Sequence, residues 1–334
     1  MRLLLALALS LSCSLIQAAP KPLVDCELHY VDFNQTTDGM ERLFAAMDTA
    51  GVEVACIMGI PLQKSWQQDN PTRPLAYESD DGRVYYYSAT DVLLARAVEA
   101  LPADKRARLR PLISGFNPTD RNAFEHVKRM MQWYPGLWSG IGEILTRHDT
   151  LSHLLEGETP RADHPALMAV YHYAAEQDLT VVLHSNLTST RKSKQMVYLH
   201  ELQNALNSNP ATRFVWSHAG TSANIERRQH LENHDETVQQ LLQHHPNLSI
   251  GLSWTLLSHY ATVDGQASKP WLALIERHPD RFVLGSDLVG RFGSLEKTLK
   301  PARELLRQLD DPAAQAVASG NALRLFPLNY IQKN

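Results

Sequence analysis

The stretch Leu23-Val24-Asp25-Cys26-Glu27-Leu28-His29 is a short apolar run that ends on a carboxylate and an imidazole two residues apart. Alternate side chains of a strand share a face, so Glu27 and His29 are expected to leave its carboxyl end together. Two ligand-type side chains delivered in this way form half of a metal site, provided later strands bring the other half.

On the N-terminal side of this run, Arg2 is followed by apolar residues from Leu3 to Leu15 and then by Ile16-Gln17-Ala18-Ala19-Pro20. This is the layout of a secretory signal, and the run is shorter than the ~20 apolar residues that span a bilayer. Residues 1–19 therefore read as a leader cleaved near Ala18 or Ala19, and 20–334 as one domain, periplasmic or secreted, with no integral membrane span. Ser10-Leu11-Ser12 before Cys13 matches a lipoprotein signal poorly.

The chain carries 32 Lys and Arg against 36 Asp and Glu, a net charge of −4, and the leader removes only Arg2 from that balance. Such a charge gives no reason to expect nucleic acid or an anionic membrane as partner. Of three cysteines, Cys13 belongs to the leader, while Cys26 and Cys56 lie in apolar strand-like runs. They read as buried, inert thiols and not as a disulfide framework.

Towards the C-terminus the pattern alternates. Asp38 and Glu41 have the spacing of a capping box, and Met40, Leu43, Phe44 and Met47 form a helical stripe. A strand follows from Gly51 to Met58, and then a long polar stretch from Pro61 to Tyr87, the length of a lid or specificity loop. Further strands are predicted at Arg108–Ile113, Leu137–Glu143, Leu179–His184, Arg213–His218, Leu248–Trp254 and Arg281–Asp287, with apolar helical stripes between them and a closing helix on Leu295, Leu299, Ala302 and Leu306. Near-continuously apolar strands alternating with helices indicate a parallel sheet covered by helices. Eight such units suit a single (β/α)8 TIM barrel with a long loop after strand 2 better than a doubly wound sheet.

Polar residues at the strand ends are of metal-binding or acid–base type: Glu27 and His29, then Glu143, His184, His218 and Asp287. A lone His there is ordinarily a hydrogen-bonded structural residue and a lone Asp an N-cap. In a barrel, however, all these ends open on the face where catalysis is placed, so residues far apart in sequence surround one volume.

With these residues in place, the chain resembles the amidohydrolase superfamily, in particular its amidohydrolase-related branch. The resemblance spans nearly all of the mature chain. It rests on Asp25-x-Glu27-x-His29, Gly140-Ile141-Gly142-Glu143, Val182-Leu183-His184, Ser217-His218-Ala219-Gly220, Leu284-Gly285-Ser286-Asp287 and the terminal Gly320-Asn321-Ala322-Leu323-Arg324-Leu325-Phe326. It implies one or two divalent ions, zinc before manganese, held by Glu27, His29, Glu143, His184 and Asp287, with Asp287 and His218 catalytic. Glu27 stands where the commonest pattern has a first His. A carboxylate is still a competent ligand, but Glu-x-His resembles the subset that includes nonoxidative decarboxylases of aromatic acids. Glu143 stands where binuclear hydrolases place a bridging group.

A cation so held lowers the pKa of bound water towards neutrality. Asp287 would then act as general base and His218 as donor to the developing oxyanion, or as ligand to a second ion. The expected activity is hydrolysis of a small carbonyl compound such as a lactone, ester or amide. The alternatives are a carboxy-lyase using the same Asp287 to protonate a ring carbon, and a periplasmic binding protein without catalysis. The substrate is a small molecule, anionic if Arg191, Lys192 and Lys194 hold a carboxylate or phosphate at the rim; oligomeric state is not encoded in any motif. Trp66, Tyr77 and Trp254 are candidate pocket walls. His148, His153 and His164 read as solvated loop residues, and His244-His245 as a helix-end pair.

Overall fold

The computed structural model describes residues 22–329 other than 67–71, 75, 78–81, 88 and 192–194. The expected leader, with Cys13, and the rim residues Lys192 and Lys194 lie outside the described residues. Eight stretches of the apolar alternation become barrel strands: β1 (Leu23–Val31), β2 (Val52–Gly59), β3 (Leu109–Ile113), β4 (Gly140–Thr146), β5 (Thr180–Ser185), β6 (Arg213–Trp216), β7 (Leu248–Leu252) and β8 (Phe282–Leu284). They pair in parallel, each with its neighbour in sequence.

The ring closes through a divided last strand. Phe282–Leu284 pairs with β7, the chain breaks pairing over Gly285 to Asp287, and Leu288–Val289 then pairs with β1 at Leu28 and His29. Asp287 N–H donates to Glu27 O at 2.6 Å and Gly290 N–H to His29 O at 2.7 Å. Asp25 Oδ1 secures the break, accepting from the N–H groups of Ser286 at 2.9 Å and Glu27 at 3.1 Å. A side chain at Gly285 would meet Glu27 Cβ at 2.6 Å, so only glycine lets the segments approach this closely.

Helices cover the outside of the barrel. Those between β1 and β2 (Met40–Ala50), β4 and β5 (Pro165–Glu176), β5 and β6 (Leu199–Ser208), and β6 and β7 (His234–His244) each bury one apolar stripe. The capping box expected at Asp38 does not form. Gly39 occupies the N-cap, and the Asp38 carboxylate pairs with Arg42 at 3.8 Å and Arg291 at 3.6 Å instead. The closing helix is split into Leu295–Thr298 and Lys300–Gln308. Inside the barrel, Val24, Cys26, Cys56, Met58, Leu112, Val182, Val215 and Val283 pack together over Ala322, Leu325 and Phe326, so the terminal motif plugs the floor. Arg110 and Thr180 hold that plug by donating to the carbonyls of Phe326 (3.0 Å) and Leu325 (2.6 Å). Cys26 and Cys56 are buried and free, as expected.

The segment after β2 is more than a loop. Leu62–Lys64 and Val84–Tyr86 pair antiparallel, and the buried Lys64 ammonium donates to the carbonyls of Tyr77 and Gly82, each at 2.5 Å. No helix among the described residues is long and apolar enough to cross a membrane.

Candidate metal centre

Two strand irregularities aim the acidic residues. Along β1, Val24 and Cys26 belong to the barrel interior, whereas Leu28 and Tyr30 belong to the layer under the helices. The alternation changes phase between them, where register with β2 shifts between Asp25 and Leu28. Bulges of this kind re-aim side chains beside functional sites, and here the phase change turns both Glu27 and His29 towards the mouth. Glu143 sits at a second register shift, between Ile141 and Ile144 of β4. Both carboxylates therefore lie within their strands and not at the carboxyl ends expected from the sequence, because β1 and β4 run on to Val31 and Thr146.

The remaining residues arrive from β5, β6 and β8. His184 is the penultimate residue of β5. His218 and Asp287, expected as strand residues, instead occupy turns just past β6 and in the β8 break, in the left-handed backbone region with φ 37° and 56°. Non-glycine residues held there store about 1–3 kcal/mol each and persist only where the surroundings enforce them.

All six predicted residues meet in one cluster. His29 Nε2 lies 3.3 Å from both Glu143 Oε2 and Asp287 Oδ1. Glu143 Oε1 lies 3.3 Å from His184 Nδ1, which is 3.1 Å from His218 Nε2. Donor atoms converge within 4.8 Å in three overlapping sets: Glu143, His184, His218; Glu27, His218, Asp287; and His29, Glu143, Asp287. Glu27 Oε1, His184 Nε2 and His218 Nδ1 are buried without a hydrogen-bond partner. Buried polar atoms are rarely left so, and a set of imidazoles and carboxylates with vacant lone pairs fits a divalent cation of the zinc or manganese kind.

The electrostatics fit the same reading. Burial raises Glu27 well above the usual carboxylate range, reinforced by Asp287 and Glu143. Burial also raises Asp287. Glu143 is held well below that range because hydrogen bonds from His184 and His29 outweigh its own burial. A cation among these groups would favour the ionised carboxylates and neutral imidazoles.

Sequence reasoning missed two members of the site. Ser253, just past β7, donates its hydroxyl hydrogen to Glu27 Oε2 at 2.6 Å. His148, expected in solvent, lies flat on His184, with ring centroids 4.4 Å apart and planes at 10°. Neither carries a sequence signal that separates it from an ordinary loop residue. His164 instead caps the helix from Pro165, accepting from Ala166 N–H at 3.2 Å, and His153 is exposed. His244 is exposed and His245 buried at the end of their helix. Of the expected walls, Trp254 packs edge-on against His218 (5.2 Å) and Tyr77 against His148 (6.1 Å). Trp66 is exposed, with the Arg73 guanidinium 6.0 Å over its ring. Arg191 is exposed. A cavity of about 590 Å³ lined by Glu226, His230, His234, Tyr260 and Trp271 shares no residue with the cluster.

A sequence model described as Amidohydrolase matches residues 24–328. The chain belongs to the amidohydrolase family. No curated protein matches it in sequence. Among solved structures, a TIM-barrel protein from Bordetella bronchiseptica aligns over 92% of this chain and 99% of its own at 13% identity and TM-score 0.57. A 2,6-dihydroxybenzoate decarboxylase from Rhizobium aligns over 93% and 100% at 12% identity and TM-score 0.54. A Pseudomonas putida protein provisionally named as a 2-pyrone-4,6-dicarboxylic acid hydrolase aligns over 93% and 99% at 14% identity and TM-score 0.52. At these identities the likeness establishes the barrel fold for this amidohydrolase, and hydrolases and decarboxylases both stand among its neighbours.

Proposed function

We propose that this amidohydrolase is an exported, metal-dependent hydrolase of a small carbonyl compound such as a lactone, ester or amide. One observation carries the reading: the Glu143 carboxylate faces His29 and Asp287 on one side and His184 and His218 on the other. A carboxylate placed between two donor sets suits a pair of divalent ions. His29, Asp287 and Glu27 would hold one ion and His184 and His218 the other, with Glu143 within reach of both sets. A bound cation there supplies Lewis acidity, easing ionisation of water and polarising the substrate carbonyl.

The chain's own groups do the remaining work. Asp287 is 15% exposed, whereas His29 and Glu143 are 1% and 3% exposed, so it is the carboxylate substrate can reach. It takes the proton of the attacking water and returns it to the leaving group. His218 is kept a neutral imidazole by burial and by the neighbouring His184, so it serves as a hydrogen-bond donor or a ligand without carrying a cationic charge.

Decarboxylation of an aromatic acid is the second reading, favoured by Glu27 on β1 and by the aromatic walls of the mouth. Metal counting on purified mature protein and on Glu143→Ala separates the two. Hydrolysis predicts two ions falling to one, with turnover in a lactone panel that includes 2-pyrone-4,6-dicarboxylate. One ion in both proteins, with carbon dioxide released from 2,6-dihydroxybenzoate, selects the carboxy-lyase. A protein with no bound zinc or manganese sinks both.

A further inference from the structure

His148 is held far more firmly than a solvated loop residue needs to be. On one side, Arg147 grips Glu201 through two bonds, Nε to Oε2 at 2.8 Å and Nη2 to Oε1 at 2.5 Å. On the other, Asp149 accepts from Ser222 Oγ at 2.7 Å and Asn186 Nδ2 at 3.3 Å, which ties the segment to the chain beyond β5 and β6. Ser152 Oγ donates to the His148 carbonyl at 2.7 Å. The ring itself is fixed between His184 beneath and the Tyr77 edge beside it.

The ring's protonation is fixed as well. The Thr150 N–H at 3.2 Å and the Thr150 hydroxyl at 3.0 Å both face His148 Nδ1; the N–H can only donate, which assigns Nδ1 as acceptor and the hydrogen of a neutral ring to Nε2. Asp149 Oδ1, 3.7 Å from Nδ1, is too far to reverse that assignment. Among the described residues, neither this Nε2–H nor the Tyr77 hydroxyl has a protein hydrogen-bond partner. Tyr77 is positioned with similar care: its carbonyl is bound by buried Lys64, and its ring packs on Phe33 with centroids 4.6 Å apart. Its ring meets His148 edge-on, 6.1 Å between centroids, and His148 in turn lies flat on the candidate ligand His184, so Tyr77 stands one ring away from the metal cluster. Two preorganised donors from different loops thus border the mouth, next to the residues that would hold the cations.

We infer that Tyr77 O–H and His148 Nε2–H are positioning residues that together grip an anionic oxygen of the substrate, such as a carboxylate, while the metal cluster holds the reacting group. The inference rests on the metal-centre reading above. Neutral donors suit this task because they orient an anion without a permanent charge that would compete with the cation.

Tyr77→Phe and His148→Phe each keep an aromatic ring and delete only the donor. The test is calorimetric binding of benzoate to the mature protein and to both variants, with zinc counted in the same samples. Each variant is expected to bind benzoate about tenfold more weakly with its zinc content unchanged, as loss of one hydrogen bond to a charged group requires. Affinities within twofold of the parent overturn the inference, as does loss of zinc from His148→Phe, which would make His148 a ligand. Absence of zinc from the parent refutes the metal reading separately, while the ratio of benzoate affinities still judges the two donors.

Discussion

Ser253 donates its hydroxyl hydrogen to Glu27 Oε2 across 2.6 Å, in a region where both residues are almost fully buried. This bond fixes one carboxylate oxygen and leaves Oε1, without a protein partner, for the cluster. Partners that orient a ligand in this way typically account for 10–100-fold in metal affinity, so Ser253→Ala is expected to weaken zinc binding by about that factor. Competition against a chromophoric chelator measures it, and an unchanged affinity would remove Ser253 from the site.

Metal uptake should strengthen as pH rises. Burial disfavours a charged His29, but Asp287 and Glu143 overcome it and raise the imidazole to about 10. The metal-free protein therefore holds His29 protonated at neutral pH, and ligation must expel that proton. Apparent zinc affinity is expected to climb by up to about tenfold per pH unit for one proton released. Titrations at about pH 6, 7 and 8, with proton release followed by an indicator dye, check this; a flat profile contradicts it.

His234 makes a separate prediction, about stability in acid. Burial lowers its imidazole from 6.5 to about 4, against the opposing effect of its 2.9 Å hydrogen bond to the Ala219 carbonyl. The unfolded chain takes up this proton before the folded one does. Its contribution is complete above about pH 6.5 and disappears as pH falls towards 4, a loss on the order of 3 kcal/mol. His234→Gln should lose visibly less stability than the parent between about pH 7.5 and 4.5 in urea melts. Parallel losses in the two proteins would show that another group governs the acid limb.

Gly285→Ala should damage fold and site together. The added Cβ would sit 2.6 Å from Glu27 Cβ and 3.2 Å from Ser253 Cβ. Overpacking of this kind costs about 1–3 kcal/mol, and the atoms that must give way belong to a candidate ligand and its partner. Thermal melts and zinc titration should therefore worsen together. A variant that melts early yet binds zinc normally would show that the strain escapes in another direction.

What could be read from the sequence follows what local chemistry displays. The barrel was legible because its strands are apolar throughout and helical stripes separate them. His184, His218 and Asp287 stood out because each polar side chain ends such a run. The phase changes at Glu27 and Glu143 were hidden, since a bulge is defined by the neighbouring strand's register and not by the residue that occupies it. Ser253 and His148 were hidden for the same reason: their roles lie in contacts with Glu27 and His184, far away in sequence. The pairing of Leu62–Lys64 with Val84–Tyr86 joins three-residue strands across a long intervening segment, too short a pattern for periodicity to register.

The divided eighth strand has a consequence for how the protein comes into being. Residues 285–290 both seal β1 into the ring and deliver Asp287 to the cluster. A nascent chain still lacking them would have an open sheet edge and an incomplete reaction centre, whatever its earlier helices had achieved. Ring closure and completion of the cluster are thus one event, because the same residues must reach the first strand for either to occur.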